Sequence, residues 1–423
     1  MTGLRETGGP GSAAADEEGY SPAPRRRRGL RSGFTTGACA AAATRAACLH
    51  LTGGAPVTEV TVALPAGFEQ RFPVEDPRAG EGWASAVVVK DAGDDPDVTH
   101  GARVTATVAW TATPGLALRG GEGVGTVTLP GLGLEVGGPA INAVPRRMIG
   151  VAAAEAVAAA AARGRGLEVT IAVPGGEVMA RRTMNPRLGV LGGISILGTT
   201  GVVHAWSTAS WRASVVQAVG VAVANGADHL VLSTGGRSER YARGRLPGLP
   251  DIAFVEMGEF AGHALDRACE LGVPRVTLAG MVGKLAKLAQ GQFQLHVAGG
   301  GVDPALLADL AVRAGAGEPL AARVRGANTA RHAQEMVLEA GVRGFFDELC
   351  ATAARRCHER TGGAVAVEAW CFDPDSGELL GSGEAGVNTL GGGLSSASLA
   401  PADDGLGEAP HRTRQRPDRE SGA

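Results

Sequence analysis

The chain has few aromatic residues, no excess of basic charge and no long apolar run. Aromatic residues make up 4% of the 423 residues, so the core has to rest on Val, Leu, Ile and abundant Ala. The net charge of −3 argues against a general nucleic-acid binder, which would carry a basic balance or stripe. No apolar run reaches the roughly 18 residues that span a bilayer, and none follows the basic residues 25–28 as a signal peptide requires. We expect a cytoplasmic protein with neither nucleic-acid nor membrane partners.

Cysteine is also sparse, and its spacing is uninformative for metal binding. The six cysteines form no Cys-x-x-Cys pair, so neither a zinc site nor a redox motif is indicated. We expect free, mostly buried thiols and no metal site in the protein itself.

Glycine, by contrast, is abundant, at 66 of 423 residues or roughly double its usual share. Five glycines lie among apolar residues in the seventeen positions 185–201. This pattern predicts a packed segment whose backbone is approached closely. Two further Gly-rich turns, 233–239 and 278–284, carry the cations Arg237 and Lys284. Together the three segments indicate a site for an extended, partly anionic ligand.

Composition divides the chain into four parts. Residues 1–29 and 386–423 have too few large apolar side chains to form a core and are predicted to be disordered. We predict an α+β domain over 30–206 and an α/β domain over 207–385.

The first half clusters its strands between two helices, which predicts a mixed or antiparallel sheet. Thr35 and Thr36 are natural N-cap residues for the first helix. We predict helices over 37–51 and 143–163, and strands over 57–64, 84–90, 104–110, 126–129 and 167–173.

The second half alternates strands and helices, which predicts βαβ units and a mostly parallel sheet. In such sheets ligands lie beyond the carboxyl ends of the strands, where both Gly-rich turns are expected. We predict strands over 229–233, 251–255, 275–279 and 365–372, and helices over 211–225, 258–271, 282–289 and within 304–360.

Residues 90–100 place four carboxylates and one imidazole within eleven positions. A metal-binding loop or a general-base cluster has this composition, although the spacing of an EF-hand is absent. The alternative, which the residues alone favour, is a solvated turn, because Asp and Pro suit turns. All three alternatives stay open.

Several cationic side chains stand at sequence positions that suit the binding of an anionic ligand. Arg146 and Arg147 stand just inside a predicted helix start, where the helix dipole disfavours cations, and this hints at an anionic partner. Arg187 lies inside the apolar Gly-rich segment, which suits it to a ligand. A pair of surface charges is the alternative for the first two, and a solvated first-turn lysine is the alternative for Lys284.

The turn 233–239 is expected to follow a strand and open a helix, so its backbone N–H groups favour anions. The alternative is a tight βα turn with incidental glycines. It matches neither the G-x-G-x-x-G nor the P-loop fingerprint. The nine histidines show no ligand spacing, so a lone histidine such as His296 carries little weight by itself.

Seven segments, taken in their order, carry a family resemblance over about residues 30–385. They are residues 33–39, 90–100, 139–148, 185–201, 233–239, 280–284 and 328–330. Their order and spacing resemble the cobalt-precorrin-5B C1-methyltransferases of the early-cobalt route to cobalamin. One departure is Leu295, which stands where the family usually has the threonine of Asn-Thr-His.

The resemblance implies methyl transfer from S-adenosylmethionine to C-1 of cobalt-precorrin-5B, giving cobalt-precorrin-6A. The only cobalt implied is that of the substrate. A homo-oligomer and substrate hand-off with other enzymes of the pathway are compatible with it. The donor site is expected at Ser233, Thr234, Gly235, Gly236, Gly280 and Gly283. The acceptor site is expected at Thr35, Thr36, Arg146, Arg147, Arg187, Thr199, Thr200, Arg237, Lys284 and His296.

Within the acidic loop, Asp91 and His100 are expected to act on the substrate. Asp94, Asp95 and Asp97 are expected to shape the turn and to face water, because they would repel one another if buried together. Two rival functions remain at this point, a phosphate-binding transferase and a non-catalytic tetrapyrrole carrier.

Overall fold

The computed structural model of the protein describes residues 29–296 and 300–386. The predicted disordered tails therefore lie outside the described residues, apart from Gly29 and Gly386. The fold is organised around two five-stranded sheets, and a buried apolar core lies in each half of the described chain. The α+β and α/β fold classes expected for the two halves are confirmed, whereas the boundary between 206 and 207 stays a prediction.

The first half contains three helices and eleven short or medium strands. The helices are α1 (Thr36–Leu51), α2 (Ala143–Ala161) and α3 (Gly176–Ala180). The strands are β1 (Gly33–Phe34), β2 (Glu59–Leu64), β3 (Phe68–Pro73), β4 (Glu75–Gly80), β5 (Trp83–Val89), β6 (Arg103–Thr111), β7 (Gly115–Gly120), β8 (Thr126–Val127), β9 (Gly166–Ala172), β10 (Val190–Leu191) and β11 (Val202–Val203).

The first sheet has the strand order β4-β5-β6-β9-β7 and is antiparallel except where β7 pairs with β9. Helix α1 lies against it with an almost wholly buried run of alanines, whose small side chains allow a close approach. Thr35 caps α1 as predicted, because its hydroxyl accepts from the N–H of Ala38 at 3.2 Å. Strands β3, β4 and β7 were not predicted, because they are largely exposed and lack apolar alternation.

The second half contains eight helices and five strands among its described residues. The helices are α4 (Thr208–Ala224), α5 (Gly236–Arg245), α6 (Ala261–Glu270), α7 (Val282–Ala289), α8 (Pro304–Arg313), α9 (Glu318–Arg325), α10 (Ala330–Glu339) and α11 (Gly344–Arg360). The strands are β12 (His229–Ser233), β13 (Phe254–Glu256), β14 (Arg275–Gly280), β15 (Ala366–Phe372) and β16 (Leu379–Ala385).

The second sheet has the strand order β13-β12-β14-β15-β16 and is parallel except for β16. The chain leaves β12 for β13 on one side and then crosses to β14 on the other. A topological switch point therefore lies between β12 and β14, where open α/β sheets bind ligands. The strand predicted over 251–255 is wrong in its first half, since a 3₁₀ turn (Asp251–Ala253) follows Pro250 and β13 begins only at Phe254.

The remaining sequence expectations concern cysteines, metals and membranes. Five of the six cysteines are buried and the sixth, Cys269, is half-buried, and all are free, as predicted. In the part of the chain that the structure describes, no group of three His, Cys, Asp or Glu side chains is placed to hold a metal ion. No helix in that part is both long and apolar enough to cross a membrane.

Candidate active site

The two Gly-rich turns of the second half meet at the carboxyl ends of neighbouring parallel strands. Ser233 ends β12 and lies beside Ala279 of β14, and the N–H of Thr234 donates to the carbonyl of Ala279 at 3.0 Å. Helix α5 begins at Gly236 and α7 at Val282, so both helix N-termini open onto the same edge. The predicted position of these turns is confirmed.

The glycines of this edge differ in what surrounds them. A Cβ built on Gly235 or Gly236 would meet no atom within 4 Å, so open space lies over this turn. A Cβ on Gly280 would lie 3.2 Å from the Thr234 side chain, so Gly280 lets the two turns pack. Gly283 has only Ala330 nearby, at 3.9 Å from its added Cβ. We call the open space over the glycines of these two turns the cradle. A ligand in the cradle could lie close to the backbone of both turns.

Ser233 lies below this cradle rather than inside it. Its side chain is fully buried, and its hydroxyl lies 3.4 Å from Oε2 of Glu239 and 3.5 Å from the carbonyl of Val255. The hydroxyl of Thr234 lies 3.5 Å from that of Ser238. Both side chains therefore brace the turn, and its backbone faces the open space.

The predicted cations Arg237 and Lys284 flank the edge. Arg237 donates to the carbonyl of Pro374 at 3.3 Å, and Lys284 donates to the carbonyl of Leu295 at 3.2 Å. His296 follows Leu295, and its Nε2 lies 4.0 Å from Oε2 of the buried Glu259. Glu259 could not be predicted as a site residue, because one glutamate between Gly258 and Phe260 gives no signal of burial.

Arg187 reaches the same edge from the first half. Its guanidinium lies 2.8 Å from Oε2 of Glu239 and 3.9 Å from Oε2 of Glu256. Glu239 is only 4% exposed and also receives a bond from Arg243 at 3.0 Å. Arg187 thus fastens the Gly-rich segment to α5 and the end of β13. Neither carboxylate was predicted as a partner of Arg187. Arg187 and Glu239 are 52 positions apart, and such a pair leaves no local sequence pattern.

The Gly-rich segment 185–201 packs against other motifs of the first half and is hydrogen-bonded to them. The N–H of Leu197 donates to the Thr36 hydroxyl at 2.9 Å, and the N–H of Thr35 donates to the carbonyl of Gly201 at 3.0 Å. A Cβ on Gly193 would lie 2.3 Å from backbone atoms of Gly123. The predicted close approach to this backbone is therefore confirmed, and it is made by the chain itself.

The other predicted acceptor residues fall into two groups. Arg146 is held by the backbone, because its Nε donates to the carbonyl of Ile141 at 2.7 Å, whereas Arg147 is exposed. Thr199 and Thr200 are exposed at the end of the Gly-rich segment, close to the start of α1. Arg147 and the two threonines are the most accessible of these side chains.

The acidic loop contains a buried ion pair. Nζ of Lys90, whose side chain is 1% exposed, lies 2.7 Å from Oδ2 of Asp97. Burial opposes ionisation of Asp97, yet the Lys90 ammonium and the hydrogen bonds from Lys90 and Thr99 lower its pKa below the ordinary value. The expectation that Asp97 faces water is wrong, because a cation at the end of β5 needs a carboxylate beside it. Asp95 accepts from the N–H of Trp206 at 2.8 Å.

Asp91 and His100 lie close together at the surface. Nδ1 of His100 is 3.9 Å from Oδ1 of Asp91 and accepts from the N–H of Ala92 at 3.1 Å. Arg31 pairs with Asp91 and, through its hydrogen bond, lowers the pKa of that carboxyl, with Gly93 and His100 adding to the effect. Asp91 is therefore ionised at neutral pH, and neutral His100 carries its proton on Nε2.

An open surface depression of about 410 Å³ adjoins this pair. Its lining consists of Gly93, Asp94, Asp95, Pro96, Asp97, Val98, His100 and Arg182. The depression therefore combines one imidazole and one guanidinium with three carboxylates. The imidazole of His100 is exposed to solvent, so it can exchange a proton with a ligand bound here.

The fold joins an α+β half to an α/β half with a mostly parallel sheet, and comparison with known proteins gives its family. The family model CbiD matches residues 23–205, and the model "CbiD, C-terminal domain" matches residues 294–383. The chain belongs to the CbiD family.

Its relatives include three bacterial proteins named cobalt-precorrin-5B C(1)-methyltransferase. The protein of Rubrobacter xylanophilus is 53% identical over 84% of this chain and 92% of its own length. The protein of Salinispora arenicola is 54% identical over the same two shares. The protein of Thermus thermophilus is 49% identical over 85% of this chain and 96% of its own length.

One solved structure is similar, a cobalamin biosynthesis protein (cbiD) from Archaeoglobus fulgidus. It is 25% identical and covers 74% of this chain and 85% of its own, with a TM-score of 0.33.

Proposed function

We propose that this chain is a methyltransferase that moves a methyl group from S-adenosylmethionine to C-1 of cobalt-precorrin-5B, giving cobalt-precorrin-6A. Relatives that share about half of their residues with it over more than four-fifths of its length carry that enzyme name. The observation that carries the donor site is the meeting of two Gly-rich turns at the switch point of the parallel sheet.

The residues at this edge fit a nucleoside-containing donor. The backbone of Thr234, Gly235 and Gly236 faces open space that any Cβ would narrow, and two helix N-termini open beside it. When bound, the donor supplies a methyl group on a sulfonium. A carbon of the acceptor would attack that methyl group in line while its bond to sulfur breaks and S-adenosylhomocysteine leaves, so the chain needs no nucleophile of its own and contributes by positioning and by excluding water.

The acceptor side of the proposal rests on cations near this edge. A tetrapyrrole with acetate and propionate side chains suits arginines, which bind planar carboxylates through two N–H groups. Arg187 and Arg237 lie beside the donor edge, and Arg147 is exposed on α2. Thr199 and Thr200 add hydroxyls at the end of the Gly-rich segment. The cobalt of this reaction belongs to the substrate.

We assign proton transfer to His100 and an electrostatic role to Asp91. The lowered pKa of Asp91 makes it a weak base, whereas an imidazole such as that of His100 is the side chain most often used for general acid–base catalysis. Single-turnover methylation by His100→Asn and Asp91→Asn, beside Asp94→Asn as the matched control, tests this assignment. Equal rates in all three variants would leave the loop a structural turn.

Gly235→Val tests the donor site directly. The backbone at Gly235 is extended, with φ 169°, and an added Cβ has no protein atom within 4 Å, so this variant is expected to fold. Calorimetry should show that it binds S-adenosylmethionine at least ~10-fold more weakly than the wild type, because the side chain fills the cradle. An unchanged affinity of the folded variant for S-adenosylmethionine would mean that the donor binds elsewhere.

Transfer of an isotopically labelled methyl group to cobalt-precorrin-5B tests the reaction itself. A tetrapyrrole carrier would bind the acceptor without the donor, and a phosphate-binding transferase would bind inorganic phosphate but not S-adenosylmethionine. The cytoplasmic location, the homo-oligomer and the hand-off with neighbouring enzymes stay predictions.

A further inference from the structure

We propose that Glu256 is a donor-binding residue whose carboxylate accepts hydrogen bonds from the ribose hydroxyls of the methyl donor. This inference rests on the proposed function, since it specifies how the same edge holds a nucleoside. Glu256 lies outside all three Gly-rich segments, so the glycine pattern alone does not predict this role.

The first support is position. Glu256 is the last residue of β13 and pairs in register with Ser233, the last residue of β12. Its side chain therefore leaves the sheet at the same edge as the turn that follows Ser233. It lies on the β13 side of the switch-point strand β12, and Gly280 lies on the other side. A nucleoside seated on the turn at Gly235 would have Glu256 on one flank.

The second support is spacing. Glu256 follows Gly236 by twenty residues, across one helix and the next parallel strand. In nucleoside-binding βαβ units an acidic residue about twenty positions after the Gly-rich turn meets the ribose hydroxyls, because it ends the second strand. The turn of this chain departs from the usual glycine fingerprint, yet the acidic residue stands at the expected place.

The third support is the state of the carboxylate. Glu256 is 35% exposed, and Arg187, its nearest cation, is 3.9 Å away, beyond hydrogen-bond distance. Among the described residues none donates a hydrogen bond to it. Glu239, by contrast, is buried and has one oxygen on Arg187 and the other on Arg243. Glu239 therefore holds the structure together, while Glu256 keeps its acceptor capacity for a ligand.

Electrostatics agree with this division. Burial raises the pKa of Glu256, with Arg187 opposing and Glu239 reinforcing the shift. A carboxylate that is partly desolvated and receives no hydrogen bond from the described residues gains from two hydroxyl donors, since a charged acceptor makes the stronger hydrogen bonds.

The test is calorimetric titration of the full chain with S-adenosylhomocysteine and with its 2′-deoxy analogue. Glu256→Gln should bind S-adenosylhomocysteine ~10-fold or more weakly than the wild type, and it should discriminate less between the two ligands. Gln keeps the shape and removes the charge that burial already disfavours, so the fold is expected to survive. Thermal unfolding confirms that before the titration.

The matched control is Asp251→Asn, which removes the same charge from a side chain that is 97% exposed, pairs with Arg243 and also acts electrostatically on Arg187. Its affinity should equal that of the wild type. Equal losses in both variants, or wild-type affinity in Glu256→Gln, would overturn the assignment and leave the donor site intact. Failure of the wild type itself to bind S-adenosylhomocysteine would instead contradict the proposed function.

Discussion

At the scale of single residues, Lys90 and Asp97 show how one buried charge organises a loop. The sequence presents four similar aspartates, and only the structure separates them. Asp97 neutralises a lysine that is withdrawn from water, Asp91 pairs with Arg31, and Asp95 holds the backbone of Trp206. Burial of Lys90 could not be predicted, because lysine at a strand end is normally solvated.

Asp97→Asn is expected to lower the free energy of unfolding by on the order of 3 kcal/mol, because it leaves a buried ammonium without its counter-charge. Urea denaturation measures this loss. Asp94→Asn is the control, since Asp94 is exposed and only accepts from the N–H of Arg31 at 2.7 Å. Similar losses in the two variants would mean that the ion pair contributes nothing specific.

The same pair predicts a pH dependence of stability. The folded pKa of Asp97 lies below its ordinary value of 3.8, so the ionised carboxyl stabilises the fold above that pH. This contribution is lost as the pH falls through the lowered folded value. Acid unfolding of Asp97→Asn should therefore be less steep below pH 3.8 than that of the wild type. Parallel curves would exclude Asp97 as a contributor.

Arg187→Ala is expected to weaken acceptor binding more than donor binding. Loss of one charge-assisted hydrogen bond to a substrate carboxylate should cost roughly 1.5–3 kcal/mol. The fold should persist, because Glu239 keeps Arg243 at 3.0 Å. Titration with each substrate separates the effects, and Arg243→Ala is the control that removes the other cation of Glu239, together with its pair to Asp251. Wild-type acceptor affinity in Arg187→Ala would make Arg187 purely structural.

At the scale of elements, regular segments with clear signals were predictable and exposed ones were not. Strand β12 and helix α7 lie at their predicted bounds, because an apolar run and an apolar helical face mark them. Strand β4 is exposed along its whole length and contains Pro77, so no alternation marks it. Pro250 likewise delays β13, which the apolar pattern alone places too early.

The Gly-rich segment yields a prediction about packing. Gly193→Ala should lower the free energy of unfolding by about 1–3 kcal/mol, because its Cβ would lie 2.3 Å from rigid backbone of Gly123. Gly236→Ala is the control for stability, since its Cβ has open space. Thermal unfolding compares them. An unchanged Gly193→Ala variant would show that the segment relaxes freely.

At the scale of the whole molecule, the two fold classes could be predicted from the order of strands and helices. The site could be predicted only in part. The turns at Ser233 and Gly280 were placed by their strands, because parallel strands share one carboxyl edge. The hydrogen bond from Arg187 to Glu239 joins residues 52 positions apart, and no local sequence pattern predicts it.

The central claim is that the donor binds at the switch point of the second sheet, and a crystal structure of the full chain with S-adenosylhomocysteine tests it most directly. The account predicts the nucleoside between the turn at Thr234–Gly236 and the turn at Gly280–Gly283, with its ribose hydroxyls on Glu256. A nucleoside bound instead against the segment 185–201 or the loop 90–100, away from the second sheet, would contradict it.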